Sequence, residues 1–279
     1  MKILVADPAK NITVFVLDPV ESQEERLAVA RLILAEKSLM AEQVGFVIPP
    51  GNLPAEGGLW RLEMAGGEFC GNAARSFGLY VAAQQGLKGL AKVLVSVSGA
   101  AGPVAVEVDV ERGRAAAEMP KPQLIQTLDY KGRSLTVIIF EGITHVIAPD
   151  MEAKSETFYA VKSVAEKELF PLRENLPAAI GVMFYDTAAR FLRPAVYVRA
   201  TDTLVFESSC GSGSVALGIW LSLDLPDGRF RYALNQSGGV IETEVVKRDG
   251  EIVHLTIGGE VSLTGIVLKE DSVIKSGRQ

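Results

Sequence analysis

The chain has 279 residues, 48% apolar and 22% charged, which suits one large globular domain or two of about half that length. Its formal net charge of −6, from 28 basic and 34 acidic side chains, argues against a general nucleic-acid surface. The longest uncharged run, 208–223, has 16 residues including three glycines and is too short to span a bilayer. The opening "MKILVADPAK" meets Asp7 too early for a secretory signal. The expectation is a cytoplasmic protein whose thiols stay reduced.

Taken in order, "KILVADPAKNITVFVLD" reads as two short strands around a Pro-Ala-Lys-Asn turn. A helix should follow, because Ser22 and Glu25 fit a capping box and Leu27, Ala30, Ile33 and Leu34 share one face. "EQVGFVIPP" and "LWRLEM" are strand-like. From Asn72 to Gln85 small and apolar residues lie on all sides, which places that helix in the middle of a domain, with Gly86 as its stop. "KVLVSVSG", "PVAVEVDVE" and "GRAAAEMP" return to strands.

The second half repeats this order. "SLTVIIFEGITHVIAP" is strand-rich, an amphipathic helix starts near Ser155, and "AIGVMFYD", "PAVYVRA" and "TLVFES" are strands. A second all-round apolar helix, Val215 to Leu223, precedes "GVIETEVVKR" and "EIVHLTIGGEVSLTGIVL". The pattern implies an internally duplicated α+β unit rich in hairpins, without the βαβ rhythm of a parallel sheet. The expected domains are 1–118, completed by the C-terminal segment 263–279, and 119–262.

The two central helices begin alike. "EFCGNAARSFGLYV" starts at Glu68 and "ESSCGSGSVALGIWL" at Glu207; each contains one of the two cysteines, Cys70 and Cys210. Glycine follows each cysteine at once and recurs eight places on, at Gly78 and Gly218. A strand running into Cys-Gly and then a helix puts the thiol at a helix N-terminus. There, free N–H groups attract anions and tune the sulfur. Two such termini facing one another would cradle a carboxylate between two sulfurs. One thiolate could then remove an α-hydrogen while the other thiol delivers a proton to the opposite face. The plainer alternative is packing, since free cysteine is among the most buried residue types. Only His145 and His254 are present, with no CxxC or HxxxH pair, so no protein-built metal site is expected.

"FCGNAAR" and "SCGSGS" resemble the two active-site signatures of the diaminopimelate epimerase family, and the resemblance covers most of the chain. It implies two similar domains related by a pseudo-twofold duplication. Each would be a curved, mainly antiparallel sheet or barrel around a central helix, with the site between them. It also implies an amino-acid racemase that needs no cofactor and forms a homodimer, while the charge and the short apolar runs argue against nucleic acid and membrane as partners. Carried over, Cys70 and Cys210 are the acid/base pair. Gly71, Asn72, Gly211 and Ser212 hold the α-carboxylate through backbone N–H groups. His145, in "EGITHVI", lies near Cys70, Glu207 lies near Cys210, and Asn11, in "KNITVFV", contacts substrate. Read without the resemblance, His145 is a lone histidine in an apolar strand and Glu207 an exposed strand end.

The family's run before the second cysteine carries an arginine for a distal carboxylate. Here it is cut to "FESSC", with Ser208 in that place, and Ile143 replaces a second polar contact. This argues against diaminopimelate as substrate, because a buried carboxylate without a partner is costly. "EQVGF", "GGEFCGNA", "GVMFYDTAARFLRP" and "ESSCGSGS" resemble the branch of histidine racemases that serve staphylopine-type metallophore synthesis. There the residue matching Glu42 is a partner for an imidazole N–H; otherwise Glu42 is a surface charge at a strand start. The alternatives are diaminopimelate or another amino acid as substrate. Gly211-Ser212-Gly213 with Ala216 meets a loose dinucleotide-binding pattern, but the surrounding βαβ unit and its acidic residue are missing.

Overall fold

The computed structural model describes residues 1–51, 58–170 and 176–267. Residues 268–279 of the expected completing segment lie outside the described residues. In chain order the elements are β1 (Lys2–Asp7), β2 (Thr13–Val16), α1 (Gln23–Ala35), β3 (Gln43–Ile48), β4 (Arg61–Met64), α2 (Gly71–Gln84), β5 (Leu90–Val97), β6 (Val104–Asp109) and β7 (Arg114–Glu118). They continue as β8 (Leu124–Tyr130), β9 (Arg133–Ile139), β10 (Ile143–Pro149), α3 (Ser155–Leu169), β11 (Ala179–Asp186), β12 (Phe191–Val198), β13 (Thr203–Phe206) and α4 (Gly211–Ser222). The last strands are β14 (Gly228–Gln236), β15 (Gly239–Arg248), β16 (Glu251–Glu260) and β17 (Ser262–Val267). The chain divides into two compact units, Met1–Glu118 with the chain from Ile257 onward, and Met119–Thr256.

The two units share one pairing scheme. In the first, β1–β2, β3–β4 and β5–β6 are antiparallel, while β2–β3 and β4–β5 are parallel. In the second, β9–β10, β11–β12 and β14–β15 are antiparallel, while β10–β11 and β12–β14 are parallel. An extra antiparallel strand precedes each series, β17 on β1 and β8 on β9. The α+β duplication read from the sequence is therefore present. The parallel steps are not what hairpin-like strands suggest. Each helix, α1 to α4, bridges a parallel pair, because parallel neighbours need a crossover that hydrophobic alternation alone does not reveal.

α1 carries the expected capping box, with Ser22 and Glu25 reciprocally bonded. Its buried stripe is narrower than the sequence implied. Ala30 and Ile33 are buried, but Leu27 and Leu34 are 38% and 46% exposed. α1 meets the sheet at β3, and one line of contact covers only positions spaced i, i+3.

The central helices are different. α2 touches β1, β5, β6 and β7, and α4 touches β10, β11, β14 and β15, so in each unit the sheet surrounds its helix. Phe77, Val81 and Ala82 of α2, and Val215, Leu217 and Ile219 of α4, have no exposed surface. At the C-terminal end of α4, Lys247 Nζ donates to the carbonyls of Ser222, Leu223 and Leu225, where the helix dipole favours a cation. The repeated glycines mark the closest approach. A Cβ on Gly78 would lie 2.5 Å from Val106 Cβ on β6, and one on Gly218 would lie 2.7 Å from Thr243 Cγ2 on β15.

Gly78→Ala should therefore destabilise the protein by roughly 1–3 kcal/mol through overpacking, although the same change in an open helix gains about 1 kcal/mol. Adding Val106→Gly, which removes the opposing Cβ, should recover part of the loss in urea unfolding, and additive losses would show that the helix does not seat on β6 through this glycine.

Candidate active site

Cys70 is the N-cap of α2, in extended backbone (φ −122°, ψ 113°). The half-buried thiol is ringed by donors. Its Sγ accepts from the Ala73 N–H at 3.5 Å, and the Asn72 N–H and Gln43 side chain also hydrogen-bond to it. Burial outweighs these donors, the Glu68 carboxylate acts with burial, and the thiol is pushed up to about 11. Cys70 is thus a neutral thiol near pH 7, with donors already aimed at the sulfur. Gly99 (φ +72°) seats the approach to it, since a Cβ there would strike the Phe69 backbone nitrogen. Ser98 Oγ ties the loop down, accepting from Met64 N–H (2.8 Å) and donating to Glu68 O (3.2 Å).

Three expected residues from separate stretches join in one network here. Asn72, buried at the start of α2, donates Nδ2–H to Asn11 Oδ1 (3.0 Å), and Asn11 donates Nδ2–H to Glu42 Oε2 (2.7 Å). Partial desolvation, with a smaller push from Asp7, raises the Glu42 carboxyl above its ordinary range despite the Asn11 donor. Arg75, which the sequence reading passed over, donates to Asn72 Oδ1 at 3.1 Å.

In the second unit Cys210 is the N-cap of α4 (φ −127°, ψ 117°) and is buried. Its surroundings are more acceptor-like. Burial and the Glu207 carboxylate, which accepts from the thiol, push it well above the ordinary thiol range; the Gly213 N–H and Ser212 hydroxyl act weakly the other way. A Cβ on Gly213 would come within 3.2 Å of Cys210 Sγ and collide with the Met183 sulfur, so only glycine fits there. Gln236 also escaped the sequence reading. Its Oε1 accepts from Cys210 N–H (2.9 Å) and its Nε2 donates to Ser214 Oγ (2.9 Å), which donates to Cys210 O (2.6 Å). These bonds fix the cysteine backbone from two sides.

His145, on β10, is fully buried and meets Ser212. Its Nε2 lies 2.9 Å from Ser212 Oγ, and that oxygen lies 3.7 Å from Cys210 Sγ. Nδ1 is buried without a hydrogen-bond partner among the described residues, facing Gly181 on β11. A proton on Nδ1 would be a buried orphan donor, so the network assigns it to Nε2, donating to Ser212. Ser212 can then direct its own hydrogen at the Cys210 sulfur. Within its own unit the histidine meets the Cys210 helix, through Ser212. Helix geometry leaves the first N–H groups at Gly71, Asn72, Gly211 and Ser212 outside the intrahelical ladder.

A family model described as the histidine racemase CntK N-terminal domain matches residues 1–267. A histidine racemase of Fusobacterium nucleatum subsp. nucleatum is 30% identical over 269 residues, covering 90% of this chain and 93% of that protein. The histidine racemase of Staphylococcus aureus is 26% identical over 239 residues, covering 84% and 85%. Among solved structures, a predicted epimerase from Pseudomonas aeruginosa has TM-score 0.64 at 15% identity, covering 96% of this chain and 98% of that one. A hydroxyproline epimerase from Agrobacterium vitis has TM-score 0.61 at 10% identity, covering 98% and 94%. These structural likenesses establish the fold as that of the diaminopimelate epimerase-like group.

Burial also pulls the His145 imidazole down, to about 3. Between that value and the unfolded value near ~6.5, the unfolded chain holds the extra proton, so stability falls as pH falls. His145→Gln keeps a donor for Ser212 but does not titrate. Measured by urea unfolding, wild type should lose stability relative to this variant as pH drops from about 7 to about 4; parallel curves would mean the histidine is not held neutral.

Proposed function

The chain belongs to the histidine racemase family and is an isomerase, an amino-acid racemase; from that premise we propose that its substrate is histidine and that two thiols interconvert the enantiomers without pyridoxal phosphate. The observation that carries this reading is the matched placement of Cys70 and Cys210, each the N-cap of a wholly surrounded helix and each a neutral thiol near pH 7. Thiols raised by burial suit the task, because an α-hydrogen is weakly acidic and needs a strong base in a site shielded from water.

The proposed reaction begins with histidine held by its α-carboxylate on the N–H groups of Gly71, Asn72, Gly211 and Ser212. One cysteine, as thiolate, takes the α-hydrogen as a proton, and the electron pair spreads onto the carboxylate that these donors stabilise. The other cysteine gives its proton to the opposite face, leaving the product enantiomer and the two sulfurs in exchanged protonation states. The surroundings support an asymmetric start. Donors at Cys70 favour a thiolate, whereas at Cys210 the Glu207 carboxylate accepts from the thiol and keeps it protonated, with the Ser212 hydroxyl placed to stabilise the anion left when that proton goes to the substrate.

Histidine rather than diaminopimelate is supported by Ser208 and Ile143, which supply no cation for a distal carboxylate, and by Glu42, an acceptor suited to an imidazole N–H. The similarity of "EQVGF" and "ESSCGSGS" to the metallophore branch supports a role in supplying D-histidine for such synthesis in the cytoplasm.

Reduced protein incubated with L-histidine in D2O, with no pyridoxal phosphate added, should exchange the Cα–H by proton NMR and yield D-histidine by chiral chromatography. Cys70→Ala and Cys210→Ala should each lower racemisation by about a hundredfold or more. Exchange with diaminopimelate but not histidine would overturn the substrate, and full activity in either cysteine variant would overturn the mechanism.

A further inference from the structure

We infer that Arg75 is a positioning residue for Glu42: a buried, donor-only side chain that sets the direction of a two-amide chain and thereby decides which Glu42 oxygen can meet a substrate. Arg75 has no exposed surface and sits one turn into α2. Its guanidinium can donate but never accept. With Nε 3.1 Å from Asn72 Oδ1, the Asn72 amide must turn its oxygen toward Arg75 and its NH2 away. That NH2 donates to Asn11 Oδ1 at 3.0 Å, which leaves the Asn11 NH2 for Glu42 Oε2 at 2.7 Å. A second bond, Arg75 Nη1 to Glu260 O at 3.1 Å, holds the guanidinium in place.

Neither amide can turn over alone. A single flip sets donor against donor at one end and acceptor against acceptor at the other, and buried polar groups facing like groups are costly. The consequence appears at the far end. Glu42 Oε2 always faces a donor, so any carboxyl proton must sit on Oε1. Ionised Glu42 therefore offers Oε1 as an acceptor, and protonated Glu42 offers a donor in the same place. Among the other charged groups, Asp7 at the end of β1, itself 3.0 Å from Lys10 Nζ, favours the neutral form of Glu42. The ionised, accepting form is thus upheld by a side chain two amides away. The inference rests on the histidine racemase reading only for what Oε1 would meet, an imidazole N–H.

The test is the titration of Glu42 itself, followed by 13C NMR of carboxyl-labelled glutamate and assigned with Glu42→Gln. Without a donor-only neighbour the whole chain can reverse, and a reversed Asn11 presents Oδ1 to Glu42 and stabilises its protonated form. Arg75→Met should raise the Glu42 midpoint by about one pH unit or more, while Arg75→Lys, also donor-only, should keep it near wild type. An unchanged midpoint in folded Arg75→Met overturns the inference. If that variant does not fold, Asn11→Leu cuts the chain at its last link and should raise the midpoint likewise; an unchanged value there overturns it equally. The acid limb of kcat/KM for L-histidine should move with the NMR midpoint. A midpoint that moves while the acid limb stays would leave Arg75 in its positioning role and remove instead the reading that Glu42 binds the substrate imidazole.

Discussion

A helix enclosed along its length by its own sheet can offer chemistry only at its ends, and both cysteines sit at the N-terminal one. The rest of its surface is mostly apolar, and is smallest where a strand comes closest. Gly78 and Gly218 show how tight that closure is, since neither position admits a Cβ without displacing a strand residue. At the N-terminus the backbone supplies N–H groups that no carbonyl of the helix can satisfy. Both units put a cysteine at that point, in the same extended cap geometry. The sulfur, the free N–H groups and the dipole end are therefore delivered together by one structural demand, and delivered twice.

The two ends are finished differently. Around Cys70 the neighbours are mainly donors, from the backbone and from Gln43. Around Cys210 an acceptor, Glu207, faces the thiol, and the histidine stands one hydroxyl away through Ser212. A donor-rich sulfur and an acceptor-faced thiol are complementary, as the proposed reaction requires of its base and its acid. Gln236 adds rigidity on the Cys210 side, because a cap whose N–H and C=O are both held cannot swing its side chain away by turning its backbone.

Beneath Cys70 lies a polar network that a hydrophobic core would not tolerate if any member lacked its partner. Arg75, Asn72, Asn11 and Glu42 come from three separate stretches, yet each hydrogen bond constrains the direction of the next. Such a chain specifies orientation as well as position. That makes it suited to presenting a carboxylate whose accepting oxygen must face one way.

Much of this was legible in the sequence for identifiable reasons. The all-round small and apolar composition of the two central segments could only mean buried helices, the repeated Cys-Gly placed a thiol at each N-terminus, and the Ser22–Glu25 spacing announced a cap. The duplication was visible because each unit repeats its elements in order. Other features depended on distances across the fold. Parallel pairing at β2–β3 and β10–β11 is decided by where a crossover helix returns the chain, which strand alternation does not encode. The narrow contact of α1 left Leu27 and Leu34 exposed although the sequence made them apolar. Gln43, Arg75 and Gln236 looked like ordinary polar residues, and only packing gave each a partner near a cysteine. The sequence alone determined which residue types stand at the helix ends, because local spacing controls capping; tertiary structure alone decided which side chains reach them, because hydrogen bonds form between residues that folding, and not sequence order, brings within three ångströms.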